Sequence, residues 1–508
     1  YPAMFGQGVK AIPYPELLLT LPQTFPTVTQ KVDFQVERGF YINFAPYNGA
    51  PNLVEQNQID HRTKVFSFTD NDREKEKTER YEYDYRSEPT IKFQVVYTSP
   101  SYQDDVDLFL SKPFVPLSVA TPDMVQKVAT RIALENNDQA ETDAKEIIKY
   151  MKQKHNDVKD PVQYMKYAYY YFRYMELSKP ASTRYQYENN PDHVVSLPTF
   201  AIVGKGGRSA IQQNASSYYS NRRNDLLNSR VTDDFFIKTM GLVCRDRKID
   251  YDFLLTVPRN LGTLDNLILA DELSWVLRVK GVPEACFYTF DRFKNPNEGI
   301  GTLEGADAYV IVPSKNSRMA KLDKQIIPSS KYTDNTSLYV LNVNLNAAMD
   351  GGASITRAAN LHGLNKNYYY PEVLLEDDYE NADIERYRNS RDELTDKEFV
   401  AKIRNNKNHD EAARKLKDSY DEESKARMDK MKNLLSNDYT VDSYDDFELT
   451  ADGRELDSTN LIFNETFKVK DLMKKVGPNF MVNIGSLIGT QTNIKDTELD
   501  RQTDIYFN

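Results

Sequence analysis

The sequence is poor in the residues that build covalent and metal-based chemistry. Its 508 residues include two cysteines, five histidines and one tryptophan. Two cysteines cannot make the disulfide framework of a small secreted domain, and they leave the redox compartment open. The histidines are His61, His155, His193, His362 and His409; no two stand four residues apart and none flanks a cysteine pair. That spacing gives no zinc-binding pattern. No run of about 18 apolar residues occurs, so no stretch reads as a membrane-spanning helix. Glycine is scarce, with 20 residues. The one glycine-rich stretch, "VGKGGRSA" with Gly204, Gly206 and Gly207, has neither the Walker nor the dinucleotide spacing and reads as a flexible turn. No cofactor or metal is expected.

What is present is a large folding chain. With 40% hydrophobic residues and no long biased tract, most of it is expected to fold, and its length implies two to four domains. A net charge of −11 argues against nucleic acid or an anionic membrane as the main partner. The chain starts at Tyr1 without methionine or a signal-like segment, which reads as a processed or partly represented N-terminus. Tyrosine is abundant, at 34 residues.

Residues 1–118 read as β, from the alternation of Val32, Phe34 and Val36 and of Ile91, Phe93, Val95 and Tyr97. The charged stretch "TDNDREKEKTERYEYDYR" between them suits a loop or edge hairpin, and "SKPFVPLSVATPD" marks a boundary. Helices follow. One is predicted from the cap Thr121 and Pro122 through Ile132, a second over 138–152, and a third through "DPVQYMKYAYYYFRYMEL". The stripe Tyr164, Tyr167, Tyr171 and Tyr174 has a spacing that favours helix packing over a sugar-binding surface. Then "DDFFIKTMGLVCRDR" reads as a helix, followed by strands "YDFLLTVPR", "LSWVLRVK", "ACFYTF" and "AYVIVP". That is a helix on an antiparallel sheet, closing near residue 324. Residues 325–508 return to strands, with "SLYVLNVNL" and a strand pair in "NFMVNIGSLIG". Within them, about 392–435, mixed charges and a capping box at Thr395 and Glu398 predict a solvated helical hairpin, with a partner-binding arm as the other reading.

A cysteine nucleophile needs a histidine within reach and gains from a helix N-terminus, where the dipole stabilises the thiolate. Cys244 lies toward the C-terminal end of its helix, after Phe235, Phe236, Met240 and Val243, and reads as a structural thiol. Cys286 opens a strand with no histidine nearby in sequence, and a Cys244–Cys286 disulfide is open on sequence grounds. Asp233 and Asp234 at the helix start suit capping.

Four stretches carry a resemblance: "SEPTIKFQVVYTSPS", "DDFFIKTMGLVCRDRKIDYDFLLTVPRNLG", "GIGTLEGADAYVIV" and "KKVGPNFMVNIGSLIGTQTNI…RQTDIYF". The chain resembles the transglutaminase-like envelope proteins of Bacteroidetes. The resemblance implies an α+β multidomain chain: a β-sandwich-like domain over 1–118, a transglutaminase-like (papain-like) α+β core over 119–324, and a C-terminal β domain over 325–508 carrying the helical insertion. Active members open the nucleophile helix with Cys, a basic residue and Asp. Laid on this sequence, the Asp falls at Asp233 and a following Arg at Arg259, while the cysteine position holds Val231. The histidine position holds Trp275, and the second aspartate falls at Thr289, or at Asp291 with a two-residue shift. No Cys occurs between residues 1 and 243 and no His between 194 and 361, so no small register change restores a triad.

The expected protein is therefore a non-catalytic binding or scaffold protein, placed by the resemblance in the cell envelope, periplasmic or outer-membrane associated. Other envelope proteins are its expected partners, with a peptide or glycan in the former cleft near Trp275. The alternative is a cysteine peptidase, amidase or acyl transferase with a relocated nucleophile, Cys244, served by His193 or His362. "DST" (Asp457–Thr459) is similar to a short O-glycosylation acceptor motif.

Overall fold

A computed structural model describes residues 11–13, 17–37, 40–56, 63–75, 88–98, 137–178, 195–196, 203–204, 207–208, 212–213, 233–259, 261–264, 273–281, 284–298, 300–312, 323–346, 351–387 and 409–488. The chain is a mixed α+β, multidomain protein. Among these residues no helix is long and apolar enough to cross a membrane. The predicted helix from Thr121 to Ile132, the Pro-rich boundary, most of the charged stretch after residue 75, and the terminal "RQTDIYF" lie outside the described residues.

The first region contains β1 (Ala11–Pro13), β2 (Leu17–Thr20), β3 (Thr27–Glu37), β4 (Phe40–Tyr47), β5 (Val54–Glu55), β6 (Thr63–Arg73) and β7 (Thr90–Thr98). One sheet has β7 at its centre, pairing β1, β2 and β4; the other runs β3-β6-β5. Leu21, Val36, Phe44, Phe66, Phe68 and Ile91, drawn from both sheets and the turns beside them, form one apolar cluster. The predicted strands around Val32–Val36 and Ile91–Tyr97 are present, and the start of the charged stretch belongs to β6.

Helices α1 (Asp138–Lys154) and α2 (Pro161–Arg173) begin on side-chain caps, Asn137 accepting from the Ala140 amide and Asp160 from that of Gln163. Between them and the next helix lie two short antiparallel pairs: β8 (Val195–Ser196) with β11 (Gln212–Gln213), and β9 (Val203–Gly204) with β10 (Gly207–Arg208). Within the glycine-rich stretch Val203–Gly204 thus pairs with Gly207–Arg208. Helix α3 (Asp233–Arg247) then precedes the sheet of β12 (Tyr251–Thr256), β13 (Ser274–Val279), β14 (Cys286–Tyr288), β15 (Asp307–Ile311) and β16 (Asp323–Ile326), in the order β14-β13-β12-β15-β16 and antiparallel throughout. All four predicted strands are found. The sheet takes one strand more than expected, because β16 pairs with β15 and Ile327 is buried against the sheet's second face. The core therefore extends past residue 324.

Alternation along β12 and β13 divides the sheet's faces. Phe253, Leu255, Trp275, Leu277 and Val279 meet the three helices, whereas Leu254 and Val276 face Ile300, Leu303 and Ile327. Gly241 lets α3 approach closely, since a Cβ there would stand 3.0 Å from the Phe253 ring. The tyrosine stripe is packing, as its spacing predicted. Tyr164, Tyr171 and Tyr174 are buried, and Tyr150 stacks on Tyr171 at 3.8 Å. Two neighbouring tyrosines of α2 are held by their hydroxyls. Tyr169 donates to the carbonyl of Asp291 or Lys294, and Tyr170 donates to Asn295, tying α2 to the loop after β14.

The last region holds the sheet β17 (Ser337–Leu345), β18 (Ala353–Leu361), β20 (Leu461–Lys470) and β19 (Thr440–Asp452), in that spatial order. Between β18 and β19 come α4 (Tyr370–Val373), α5 (Glu376–Tyr387) and α6 (His409–Leu435). Residues 388–408, including Thr395 and Glu398, lie outside the described residues. Helix α6 is not a solvated arm at its C-terminal end. Met431 and Leu435 are fully buried, and the Arg427 guanidinium lies 4.6 Å over the Phe447 ring. Arg427 also donates to the Val373 carbonyl and pairs with Asp378, and Leu434 packs beside Met431. A hairpin of β21 (Met473–Val476) and β22 (Asn479–Val482) follows, then α7 (Ile484–Ile488). The predicted terminal strand pair is thus one hairpin and a short helix.

Charged groups lock the core to this last region. The Arg173 guanidinium donates to the Arg454 carbonyl at 2.5 Å and to Glu455 at 3.0 Å. Arg454 in turn pairs with Asp383 at 3.1 Å, donates to the Arg292 carbonyl and covers the Tyr379 ring at 4.4 Å. Lys366 reaches Glu298, the Gly453 carbonyl and the Thr459 carbonyl. Gly453 adopts φ +69°, and a Cβ there would meet the Leu461 amide at 2.7 Å. Replacing Arg454 by alanine strands Asp383 in a buried site; we expect a loss of about 3–5 kcal/mol, read from denaturant unfolding. A loss below about 1 kcal/mol would show the pair to be solvated.

Candidate active-site region of the core

The residues that the sequence resemblance matched to a nucleophile helix and its following strand meet where α3 approaches β13. Asp233, the first residue of α3, accepts a hydrogen bond from the Trp275 amide, at the start of β13, with an N–O distance of 3.2 Å. Burial pushes the Asp233 carboxyl above the usual carboxylate range, opposed by that bond. Asp234 sits 3.9 Å from Lys238 one turn along. The helix start and the strand start are therefore held together by a carboxylate.

The side chains at the matched positions do other things. Val231 lies outside the described residues. Trp275 is 3% exposed and meets Phe253 edge-on at 6.3 Å, within the cluster between helices and sheet. Its ring is closed into that cluster. Tryptophan brings a large apolar area, and the core absorbs it. Arg259 donates through its amide and guanidinium to the carbonyls of Thr302 and Gly301, fixing a turn. Thr289 follows β14. Asp291 accepts from the Phe293 amide at 2.8 Å and pairs with Lys294 at 3.4 Å, shaping its own loop.

Cys244 and Cys286 are both free thiols and both buried. Cys244 touches the Met165 sulfur at 3.6 Å, and burial pushes its thiol far above the ordinary range. Cys286 is pushed up to about 11 by burial. A thiol held protonated at neutral pH has no nucleophile to offer. His362 donates from Nδ1 to the Asp334 carbonyl at 2.9 Å, with Nε2 3.8 Å from Glu298. His155 stacks on Tyr167 at 4.1 Å, and burial lowers its pKa. His61 and His193 lie outside the described residues. Among the described residues no three His, Cys, Asp or Glu side chains are grouped as metal ligands.

Sequence reasoning did not find the charged joint of Arg173, Arg454, Lys366 and Glu298, since isolated charged residues read as surface. It also missed an open cleft of about 870 Å³ in the last region, lined by Asp438, Tyr439, Lys470, Leu472, Met481 and Ser486 among others.

No protein-family model matches the chain, and no curated protein does. A solved structure described as a "putative protease from Parabacteroides distasonis" is similar at 12% identity with a TM-score of 0.31. The match covers 71% of this chain, which spans 57% of that one.

The buried thiols and tyrosines give a pH signature. Cys286 is held up at about 11 and Tyr251 at about 12, both by burial, against ordinary values of 9.0 and 10.0. Above about pH 9 the folded chain therefore binds more protons than the unfolded one, so stability falls as pH rises through these values. The melting temperature should decline steadily from about pH 9 upward, less steeply between 9 and 11 in a Cys286→Ala variant. A flat melting curve across that range would mean the groups are solvated.

Proposed function

We propose that the chain is a non-catalytic binding or scaffold protein of the cell envelope, a subunit of a larger membrane-associated assembly. Its core is a transglutaminase-like α+β unit whose triad has been lost, flanked by a β-sandwich-like domain and a C-terminal β domain. The observation that carries this reading is the Asp233–Trp275 bond: helix start and strand start still meet, but the strand presents a buried indole where a base would stand. An aspartate alone cannot perform acyl transfer, because it orients a base that is not there. Packing between helices and sheet does not depend on those side chains, so the fold outlives the chemistry.

The envelope location and the partners, other envelope proteins, follow from the family resemblance. The alternative, an enzyme using Cys244, requires a thiolate in the least accessible part of the core, against both burial and the helix dipole.

Iodoacetamide applied to the native protein between pH 6 and 8 should leave both cysteines unmodified until the chain is unfolded. No amide hydrolysis or transamidation should accompany it. Rapid native alkylation of Cys244 with loss of measurable turnover would establish the enzyme instead. Tagged protein purified gently from detergent-solubilised envelopes should carry a stoichiometric protein partner, and recovery of the chain alone counts against the assembly.

A further inference from the structure

The two edges of the last sheet are built differently. On one side, β19 carries Asp442, Asp445, Asp446, Glu448 and Asp452, breaks register three times, and lies against α6. Charge, bulges and cover are the means by which proteins keep a sheet edge from pairing with another chain. On the other side, β17 reads SLYVLNVNL: nine residues with no charge, no proline and no glycine, in unbroken register with β18 from Ser337–Leu361 to Leu345–Ala353. Leu338, Val340 and Leu345 are 60%, 53% and 40% exposed. Among the described residues no strand lies beyond it.

The hydrogen-bond phase of that edge can be read. Asn346 donates to the Gly352 carbonyl and His362 to that of Thr336, so positions of even number in β17 exchange bonds with β18. The amides and carbonyls of Ser337, Tyr339, Leu341, Val343 and Leu345 therefore point outward. We propose that β17 pairs antiparallel with β17 of a second copy of this chain, about a two-fold axis at Leu341, making one continuous sheet of the two.

Three features select a second copy rather than a foreign strand. A two-fold axis at Leu341 sets Ser337 opposite Leu345, Tyr339 opposite Val343 and Leu341 opposite itself. All of these are outward-bonding positions, giving roughly ten inter-strand hydrogen bonds. On the helix side the pairs are aromatic with β-branched and leucine with leucine, both favourable across strands. On the open side Val340 meets Asn342 and Leu338 meets Asn344. Finally, a chain of net charge −11 repels its own copy at most surfaces, and β17 brings no charge to this one. The interface is isologous, so it closes at two copies. It rests on the edge alone and is independent of whether the core catalyses anything.

Sedimentation equilibrium and light scattering of the full chain test it. The wild-type protein should approach twice 58.7 kDa at micromolar concentration. Val340→Lys with Asn342→Lys sets lysines opposite lysines at two exposed, closely spaced pairs and should give a monomer. Val340→Lys with Asn342→Glu sets lysine opposite glutamate and should restore the dimer. Amide exchange at Tyr339, Leu341 and Val343 should slow as protein concentration rises. A wild-type monomer at every concentration overturns the proposal, and leaves the edge for a strand of another protein. A dimer that persists in the double-lysine variant, or edge amides whose exchange ignores concentration, overturns it as well.

Discussion

A guanidinium removed from water is tolerated only where carboxylates and carbonyls replace its hydration, and this chain does so twice at one place. Among the described residues, Arg173 and Arg454 are the two largest fully buried side chains. Burial alone would push the Arg173 pKa down; the carboxylates of Asp383 and Glu455 outweigh that, and it stays charged. The partners come from three distant parts of the chain: α2, the turn after β19, and α5. Arg454 is paired by α5, and Arg173 finds its partners only when α2 reaches the turn after β19. The joint therefore fixes the position of the last region against the core in a way that apolar contact, which is non-directional, does not.

The rest of the core follows from that anchor. Helix α2 brings Arg173 to the Arg454 carbonyl, and its tyrosines hold the loop after β14. That loop carries Asn295 and Glu298, which meet the Gly453 carbonyl and Lys366. Asp291 is spent inside the loop, as a turn-shaping carboxylate.

The cysteines illustrate the same division. Cys244 is placed by the helical period that also buries Phe236, Met240 and Val243, and it behaves as one more apolar group beside Met165. On the sheet, Trp275 fills space between Phe253 and the helices. Both residues attract attention in the sequence as rare and reactive or ligand-binding types. Both are used for volume.

Local pattern was enough to determine the strands at 251–256, 274–279, 286–288 and 307–311, the helices on Asn137 and Asp160, and the packing role of the tyrosine stripe. Each of these depends on the alternation or 3.6-residue spacing of apolar side chains within a short window. The absence of a histidine near any cysteine was likewise plain from the sequence. Tertiary structure alone decided what joins residues far apart. It seated α6 on the sheet through Met431 and Leu435, added β16 to the core, closed Trp275 into the interior and set Arg173 against Arg454 across 281 positions of chain. A charged residue has no sequence signature for burial, because its partner's position is set only when the chain has folded.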